Sequence, residues 1–484
     1  MWSARTARER WIVASLALTS FMVTVDSSIV NISLPSIRHS FGVTTAEVSW
    51  VVVSYVLAWT AVLLPSGRLA SVLGARRTFL FGFAVFTAGS LSCGMAPGMV
   101  WLVASRCVQG MGAGLMKTSA FALVPRLLPR DCTGWAYGIL ASAGAMGILV
   151  GAPLGGIITG TFSWHWVFLI NGPIGAAALL VGARVLEKDP PVGSWALSRF
   201  DLPGALLGAF SVLALLLALN FGIRAGWTSF PIVSAFALAA LFLVLFVAWE
   251  RRTPEPSIDF GLLGNRKFVA GIVASSAAYM TYSGNAFVMP FYLEYVKGLR
   301  PEQVGPVLLA QAVLTMAAAS AAGRLSDRVG TRSLTVSGTL VLTLAFALFS
   351  LSVGREGLFH EVIFLATLGI GFGAFFSPNN RQVMTVPAPE GQAVAAGMFQ
   401  CASRVGLAMG VCLFEVAFAR ALPEGVSFPA LAARIGTPQG EAILRAGFRD
   451  AWIAGSLLAL VAVVASLSVR AETSRQRGGS DAAA

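Results

Sequence analysis

The chain has 484 residues, of which 56% are hydrophobic and only 12% are charged, and its net charge is +12. Soluble globular proteins contain roughly 25% charged residues, so this composition excludes a large soluble domain. The apolar runs are about 20 residues long and do not alternate like membrane strands, which predicts an all-α polytopic membrane protein. Five scattered cysteines and three dispersed histidines form no CxxC or metal-binding pattern.

Fourteen candidate membrane spans follow one another along the chain. At the start of the second span, Thr44 and Glu47 have the spacing of a capping box, which predicts a helix N-terminus there. The predicted ranges are 11–34, 46–66, 77–96, 99–124, 134–160, 164–186, 201–221, 229–249, 267–295, 301–322, 332–352, 360–380, 392–418 and 448–470.

The distribution of Lys and Arg predicts the orientation of these spans. Segments on the side of the N-terminus contain 22 of the 34 basic residues, whereas the opposite loops contain 9. Because basic residues accumulate in cytoplasmic loops, both termini are predicted to be cytoplasmic. The positive charge therefore indicates topology and no nucleic-acid partner. We expect a multi-pass protein of the bacterial cytoplasmic (inner) membrane, with the lipid bilayer as its surroundings.

A short motif occurs twice in predicted cytoplasmic loops. The pattern G-R-L-x4-G-x-R begins at Gly67 and again at Gly323, 256 residues later. Internal repeats are how many secondary transporters are built, so the repeat predicts 6+2+6 transmembrane helices. The predicted parts are a six-helix bundle (1–186), a linker with two inserted helices (187–255), a second six-helix bundle (256–470) and a cytoplasmic tail (471–484). The motif residues predicted to form gate loops are Gly67, Arg68, Gly74, Arg76, Gly323, Asp327, Arg328, Gly330 and Arg332.

Four more segments carry ordered motifs. They are VDSSIVNISLP (25–35), RCVQGMGAG (106–114), GILVGAPLGG (147–156) and SWHWVFLINGPIG (163–175). Together with the repeat they resemble the major facilitator superfamily and, within it, the fourteen-helix drug:proton antiporters. The resemblance covers nearly the whole chain. It implies the major facilitator fold and proton-coupled export of drugs.

The chain departs from the family pattern at four places. The fifth-helix motif reads Ala152-Pro153 where Pro more usually follows the Gly directly, and His165 stands where an Arg is common. The first gate-loop copy has Ser71 and Val72 where the superfamily commonly has Asp and Arg, so a carboxylate latch is not expected in the N-terminal half. The second copy keeps Asp327. Lys117 stands where the family often has Pro, and it adds a charge to a span that the resemblance places at the cavity.

The first span contains one acid, Asp26, at membrane depth. A charged group there is costly and usually faces a protein interior or cavity, where it often serves a function. At 1.5 Å per residue, Asp26 and Arg106 lie at similar depths in spans 1 and 4. We expect them to face each other and to carry proton coupling. The alternatives are a permanent ion pair and a helix cap formed by Asp26.

Other polar and aromatic residues within the spans are candidates for the substrate cavity. Lys117 is predicted to bind an anionic substrate group, to titrate as a second site or to extend to the inner membrane surface. Arg404 is predicted to neutralise a carboxylate of the C-terminal half. The complete predicted set is Asn31, Tyr55, Trp59, Gln109, Lys117, Tyr282, Asn285, Met289 and Arg404.

The fifth span has small residues at intervals of three and four, which suit close helix packing. We expect its glycines to serve close packing and, as a second and compatible role, to form a sliding seam between the two bundles. The residues of this antiporter motif are Gly147, Gly151, Pro153, Gly155 and Gly156.

The sequence contains no nucleotide-binding motif and no hydrolase triad, so we expect no enzymatic activity and no cofactor. Energy would come from the proton gradient, and the partners would be protons and a small-molecule substrate. The predicted function is proton-coupled export of amphipathic drug-like or antibiotic-like molecules. The alternatives are export of an endogenous metabolite, lipid or anionic natural product, and a non-transporting receptor or scaffold. A periplasmic adaptor is left open.

Overall fold

The computed structural model describes residues 6–190, 201–253, 256–421 and 438–469, and these ranges contain helices but no β-strand. The predicted linker and the predicted outer loop fall partly on residues outside these ranges. In chain order the helices are α1 (Ala7–Phe41), α2 (Thr45–Ala61), α3 (Leu63–Leu73), α4 (Ala75–Gly94), α5 (Met99–Leu127), α6 (Thr133–Thr161), α7 (Trp164–Leu169), α8 (Asn171–Val185), α9 (Leu202–Ala225), α10 (Phe230–Glu250), α11 (Phe260–Gly264), α12 (Arg266–Tyr295), α13 (Pro301–Val329), α14 (Thr331–Ser350), α15 (Phe359–Met384), α16 (Gln392–Ala419) and α17 (Pro438–Ser468).

Each predicted span falls on a helix or a helix pair. The second span is bent by 46° between α2 and α3, and α7 and α8 share the sixth. Within the described ranges, ten helices are long and apolar enough to cross a membrane, or eleven when the bent pair counts as one. Helices α4, α5 and α12 fall short because glycine, hydroxyl and charged residues lower their hydropathy. The number of fourteen crossings therefore stays a prediction.

Helix ends differ from the predicted span ends. The capping box at Thr44 is confirmed, since its hydroxyl accepts a hydrogen bond from the backbone N of Glu47 at 3.2 Å. The repeated motif, however, is mostly helical and not a loop, because α3 and α13 continue to the glycine of each copy. Gly74 and Gly330 break the helices with φ of 101° and 88°, values that L side chains rarely adopt. A span predicted from hydropathy ends at its first charged residues. The helix itself continues, because arginine is a good helix former.

The pattern of helix packing occurs twice. Helix α1 packs on α6 as α12 packs on α16, and α4 packs on α5 as α14 packs on α15. The two halves meet where α6 packs on α13 and where α3 packs on α16. These two contacts are equivalent, because α6 corresponds to α16 and α3 corresponds to α13. This arrangement agrees with two repeated halves, called here the N-terminal and C-terminal halves. The domain boundaries remain predictions.

The two halves are closed against each other at one end, called here the basic end because it carries Arg68, Arg126, Arg328 and Arg381. A Cβ on Gly67 would lie 2.6 Å from the carbonyl O of Ala393 across the interface. Ser142 donates to the carbonyl O of Met316, also across the interface, at 2.8 Å.

Toward the opposite end the same helices separate. Gly156 and Gly160 of α6 and Gly305 of α13 have no atom within 4 Å of a Cβ built on them. Leu309 and Val313 of α13 are 43% and 42% exposed. The space between the halves therefore opens away from the basic end.

The two inserted helices lie at the side of the molecule. Helix α9 packs on α2 and α16, with the rings of Trp50 and Phe221 5.4 Å apart. The Cys412 thiol donates to the carbonyl O of Leu219 at 3.3 Å. Helix α10 packs on α9 and is mostly exposed, since only 17% of its most apolar stretch of 18 residues is buried. Its exposed apolar surface suits contact with lipid.

Candidate transport site

Asp26 is fully buried inside the N-terminal half, where three side chains donate hydrogen bonds to it. Arg106 Nη1 lies 2.6 Å from its Oδ2, and Gln109 Nε2 lies 2.8 Å from its Oδ1. Asn171 Nδ2 is 3.3 Å from Oδ1 and also donates to the hydroxyl of Ser90 at 3.0 Å. Both members of the ion pair have 0% exposed side chains. The expected pairing of Asp26 with Arg106 is therefore present in this conformation.

Arg106 is held on nearly every side. Its Nε donates to the carbonyl O of Val51 at 2.8 Å, and its Nη1 also donates to Gln109 Oε1 at 2.7 Å. The Tyr55 ring lies 4.0 Å from the guanidinium carbon. Its Nη2 is buried without a hydrogen-bond partner. Removing one partner of such a buried pair typically costs 3–5 kcal/mol, because an uncompensated charge stays behind.

The glycines of the fourth-span motif explain how these groups come together. Gly110 faces the backbone of Tyr55 on α2, and Gly112 faces the backbone of Phe86 on α4. On the other side, a Cβ on Gly89 of α4 would lie 2.7 Å from the backbone N of Gln109. A side chain at any of these glycines would separate the helices. The motif thus sets the close packing that places Arg106 and Gln109 beside Asp26.

Lys117 and Arg404 lie between the two halves. The Lys117 ammonium group donates to the hydroxyl of Ser20 at 2.7 Å instead of extending to the membrane surface. The Arg404 guanidinium stacks on the Trp59 ring at 3.3 Å. The prediction that Arg404 neutralises a carboxylate is wrong, because the ionisable groups near it in the described chain are Tyr55, Tyr279 and Lys117. The sequence of an apolar helix does not indicate which side chains of other helices its polar residues will contact.

The remaining predicted cavity residues do not join this group. Asn285 and Met289 are fully buried in the C-terminal half, so their placement at the cavity is wrong. Asn285 accepts a hydrogen bond from Trp452 Nε1 at 3.2 Å, and Met289 belongs to an aromatic core. The Tyr282 ring packs 5.2 Å from that of Phe372, and Asn31 is exposed on α1.

The antiporter-motif glycines contact α1 within the N-terminal half. A Cβ on Gly155 would lie 2.8 Å from the carbonyl O of Ile29, and Gly147 and Gly151 face the same helix. Gly156 faces open space, and helix α6 continues through Pro153. The predicted seam between the bundles is therefore wrong for these residues. The two halves contact each other nearer the start of α6, where small residues recur at the same intervals of three and four.

One gate-loop carboxylate links the two halves at the basic end. Asp327 of the C-terminal half accepts hydrogen bonds from the backbone N of Gly134 at 2.9 Å and of Trp135 at 3.0 Å. These N–H groups belong to the first turn of α6, where the helix dipole favours a negative charge. Arg381 Nε lies 3.5 Å from the same carboxylate. This contact stabilises closure of the basic end.

The last arginine of each motif copy has the same role. Arg76 Nη2 donates to the carbonyl O of Ala183 at 2.7 Å, in the last turn of α8. Arg332 Nη2 donates to the carbonyl O of Leu467 at 3.3 Å, in the last turn of α17. A cation near the carboxyl end of a helix is favourable. The repeated motif thus ties the last helix of each half to the basic end.

Sequence reasoning missed Asp189, which supplies a carboxylate in the N-terminal half. Its Oδ2 accepts from the backbone N of Arg77 at 2.8 Å, at the start of α4, and its Oδ1 lies 3.3 Å from Arg126 Nη1. Unlike Asp327, it stays within its own half. The first copy has no acid at the equivalent position, where the Ser71 hydroxyl donates to the carbonyl O of Arg68 at 2.8 Å.

We expect Asp189→Asn to destabilise the protein by about 1 kcal/mol, since a charge at a helix N-terminus is worth 0.3–1 kcal/mol and up to ~2 when partly buried. Arg126 is 35% exposed, so its contribution is screened. The apparent melting temperature of the purified protein measures the effect. Asp450→Asn is the matched control, because that acid is partly exposed in the middle of α17, 4.0 Å from Arg449, and caps no helix end. Equal melting temperatures for the two variants would contradict the expected role of Asp189.

Comparisons with known proteins agree with this architecture. The family model described as "Major Facilitator Superfamily" matches residues 16–411. Riboflavin transporter RibZ of Clostridioides difficile (strain 630) is 31% identical over 93% of this chain and 95% of its own length. The lincomycin resistance protein of Streptomyces lincolnensis is 32% identical over 85% of each chain.

A solved structure has the same fold at low sequence identity. The proton:xylose symporter XylE, solved with 6-bromo-6-deoxy-D-glucose, has a TM-score of 0.65 and 13% identity over 94% of each chain. Its likeness concerns the fold alone. The family match, the lincomycin-resistance relative and the helical structure agree with the drug:proton antiporter resemblance. The chain belongs to the major facilitator superfamily and is a multi-pass membrane transporter, not an enzyme.

Proposed function

We propose that this protein is a proton-coupled antiporter that exports amphipathic, drug-like or antibiotic-like molecules from a bacterial cell by alternating access. The observation that carries the proposal is the buried network of Asp26, Arg106 and Gln109 inside the N-terminal half. A carboxylate kept at membrane depth is costly unless it is paired. Here the pairing group is a permanent cation, so a proton on Asp26 would break the pair.

Protonation of Asp26 would be coupled to the change of conformation through the ion pair of Asp26 with Arg106. In the present conformation the halves are closed at the basic end, and Asp26 is paired with Arg106. A proton that reaches Asp26 removes its attraction for Arg106, and the guanidinium then relies on Gln109, Val51 and the Tyr55 ring. The helices α1, α2 and α5 that carry these groups would repack. Release of the proton on the other side of the membrane would restore the pair.

The substrate would bind between the halves, near Lys117 and Arg404. Arg404 of α16 reaches across to Trp59 of α2, so this contact joins the two halves near the middle of the molecule. Opening of the basic end would require the Asp327 contact with the start of α6 to break. With both termini in the cytoplasm, the basic end would be the cytoplasmic gate. The exposed opposite end would then be the exit for substrate.

A second candidate is export or import of one specific metabolite. It is favoured by the riboflavin transporter, which matches 93% of this chain. Riboflavin is tested directly as a transported compound beside the drugs. Transport of riboflavin at low concentration, with no transport of structurally unrelated drugs, would favour the dedicated carrier.

The proposal is tested by efflux from cells that express the chain, measured with a panel of amphipathic dyes and antibiotics, with and without a protonophore. We expect several unrelated compounds to be extruded and the protonophore to abolish extrusion. Efflux that persists after the gradient collapses would contradict proton coupling. Absence of efflux from well-expressed protein would contradict multidrug export.

A further inference from the structure

Two positive charges lie between the halves without an acidic partner among the described residues. Lys117 on α5 donates to the Ser20 hydroxyl and lies 5.4 Å from the Phe121 ring. The ionisable group that acts on it electrostatically is Arg404, another cation. Each half therefore contributes one positive charge to the same region, and the two charges repel each other.

Arg404 is oriented with its donors available. The face of its guanidinium covers the Trp59 ring at 3.3 Å, and no hydrogen bond joins the group to any part of the described chain. A guanidinium stacked on an aromatic face keeps its N–H donors in the plane of the group, pointing outward. This fork matches the two oxygens of a carboxylate. The side chain is only partly buried, so a ligand between the halves has access to it.

Uncompensated charges in a membrane interior are costly, and they are retained where they serve a substrate or ion path. Asp26, the buried acid of the N-terminal half, is already paired with Arg106 inside its own half. Lys117 and Arg404 thus leave the region between the halves positively charged. A negatively charged group placed between them would interact with both.

The surroundings of this region are aromatic. The rings of Phe121 and Phe399, from opposite halves, lie 6.3 Å apart, and Tyr279 stacks on Phe376 at 4.5 Å. Two buried donors nearby have no hydrogen-bond partner: Trp59 Nε1, and Nε2 of Gln400, which lies one turn before Arg404 on α16. Such a site offers apolar surface with a few polar groups, as small-molecule pockets do.

We infer that Lys117 and Arg404 bind the carboxylate of an amphipathic organic anion whose apolar or aromatic body lies against these rings. The inference names the substrate class of the proposed transporter and rests on that function. Because the two cations belong to different halves, a bound carboxylate links the halves. Separation of the halves on one side during the transport cycle would remove one of the two cations and weaken binding. The anion would be released there.

The test uses the full-length protein, purified and titrated with fluorescein, an aromatic carboxylate, while the fluorescence anisotropy of the dye is recorded. Rhodamine 123 serves as a cationic dye of similar ring size. We expect fluorescein to bind the wild-type protein more tightly than rhodamine 123. Lys117→Met and Arg404→Met should each raise the Kd for fluorescein about tenfold or more, since charge-assisted hydrogen bonds are the strong ones. Neither variant should weaken binding of rhodamine 123.

Matched variants separate charge from folding. Lys117→Arg keeps the charge and should retain most of the fluorescein affinity. Arg38→Gln removes a positive charge from the exposed end of α1 and should leave the affinity unchanged. A variant that elutes as a single species and binds rhodamine 123 normally is folded.

Transport of both dyes into proteoliposomes then distinguishes a failure of the anion site from a failure of the proposed transporter function. If rhodamine 123 is transported and fluorescein is neither bound nor transported, the anion site is wrong while the proposed transporter function stands. If fluorescein binds through Lys117 and Arg404 but neither dye is transported, the site stands and drug export is wrong. Fluorescein affinity that is equal in wild type, Lys117→Met and Arg404→Met would overturn the inference.

Discussion

Substrate accumulation driven by a pH gradient should be abolished in Asp26→Asn. The amide has nearly the shape of the carboxylate, so Gln109 and Asn171 keep their positions beside it. It carries no charge in any conformation, so a proton no longer changes its interaction with Arg106. The measurement is uptake of a transported dye into proteoliposomes, with and without an imposed pH gradient. We expect a gradient-dependent rate at least tenfold below that of the wild type.

Two controls separate coupling from structural damage in this experiment. Exchange of labelled for unlabelled dye at equal pH needs no net proton movement, so it should persist in Asp26→Asn. Asp450→Asn makes the same chemical change at a partly exposed acid on α17, whose carboxylate lies 4.0 Å from Arg449, and should behave like the wild type. Loss of exchange together with loss of uptake would indicate an unfolded variant, because Arg106 remains buried and uncompensated. Gradient-driven uptake that survives in Asp26→Asn would contradict the assigned role.

Gly67→Val should prevent closure of the basic end. A Cβ at this position would lie 2.6 Å from the carbonyl O of Ala393, 3.2 Å from Cα of Val394 and 3.3 Å from Cα of Gly397. All three are backbone atoms of α16, so no side-chain rotation relieves the clash. The closed arrangement of α3 and α16 would be lost, and the transport rate should fall at least tenfold. The protein itself should stay folded, because the clash lies between the halves and not within one.

Cys132 offers a direct readout of this closure. It lies at the basic end just before α6 and is buried, with 6% exposure. In a chain that keeps it as the only cysteine, Gly67→Val should speed its reaction with a water-soluble maleimide. Gly156→Val is the matched control, because a Cβ there meets nothing within 4 Å. Unchanged labelling and transport in Gly67→Val would show that the basic end does not close through this contact.

The sequence was sufficient to predict the pairing of Asp26 with Arg106. A charge at membrane depth requires a partner, and few residues at the same depth qualify. The repeated motif likewise indicated the correspondence of the halves, which the paired packing of α1 with α6 and α12 with α16 now displays. In both cases one strong physical constraint left few solutions.

Other features depend on how each helix is rotated about its own axis, and the sequences of the membrane spans specify this rotation poorly. Helix α12 carries small and polar residues without a distinct polar face, so Asn285 and Met289 could not be assigned to the interior of the C-terminal half from the sequence. Asp189 was missed for a different reason. It lies in the polar segment after α8, more than 100 residues from the Arg76 and Arg77 amides that it caps. Only the folded chain brings them together, and the single sequence signal was the absence of an acid at Ser71.

Substrate and protons are expected to move in opposite directions through a cycle that depends on Asp26. The decisive measurement is proton movement in proteoliposomes that contain a trapped pH indicator and start with no pH gradient. With the wild type, a dye gradient directed out of the vesicles should drive protons inward and acidify the interior, and Asp26→Asn should show no acidification. Dye flux through the wild type without any change of internal pH, or equal acidification by Asp26→Asn, would contradict proton-coupled antiport through Asp26.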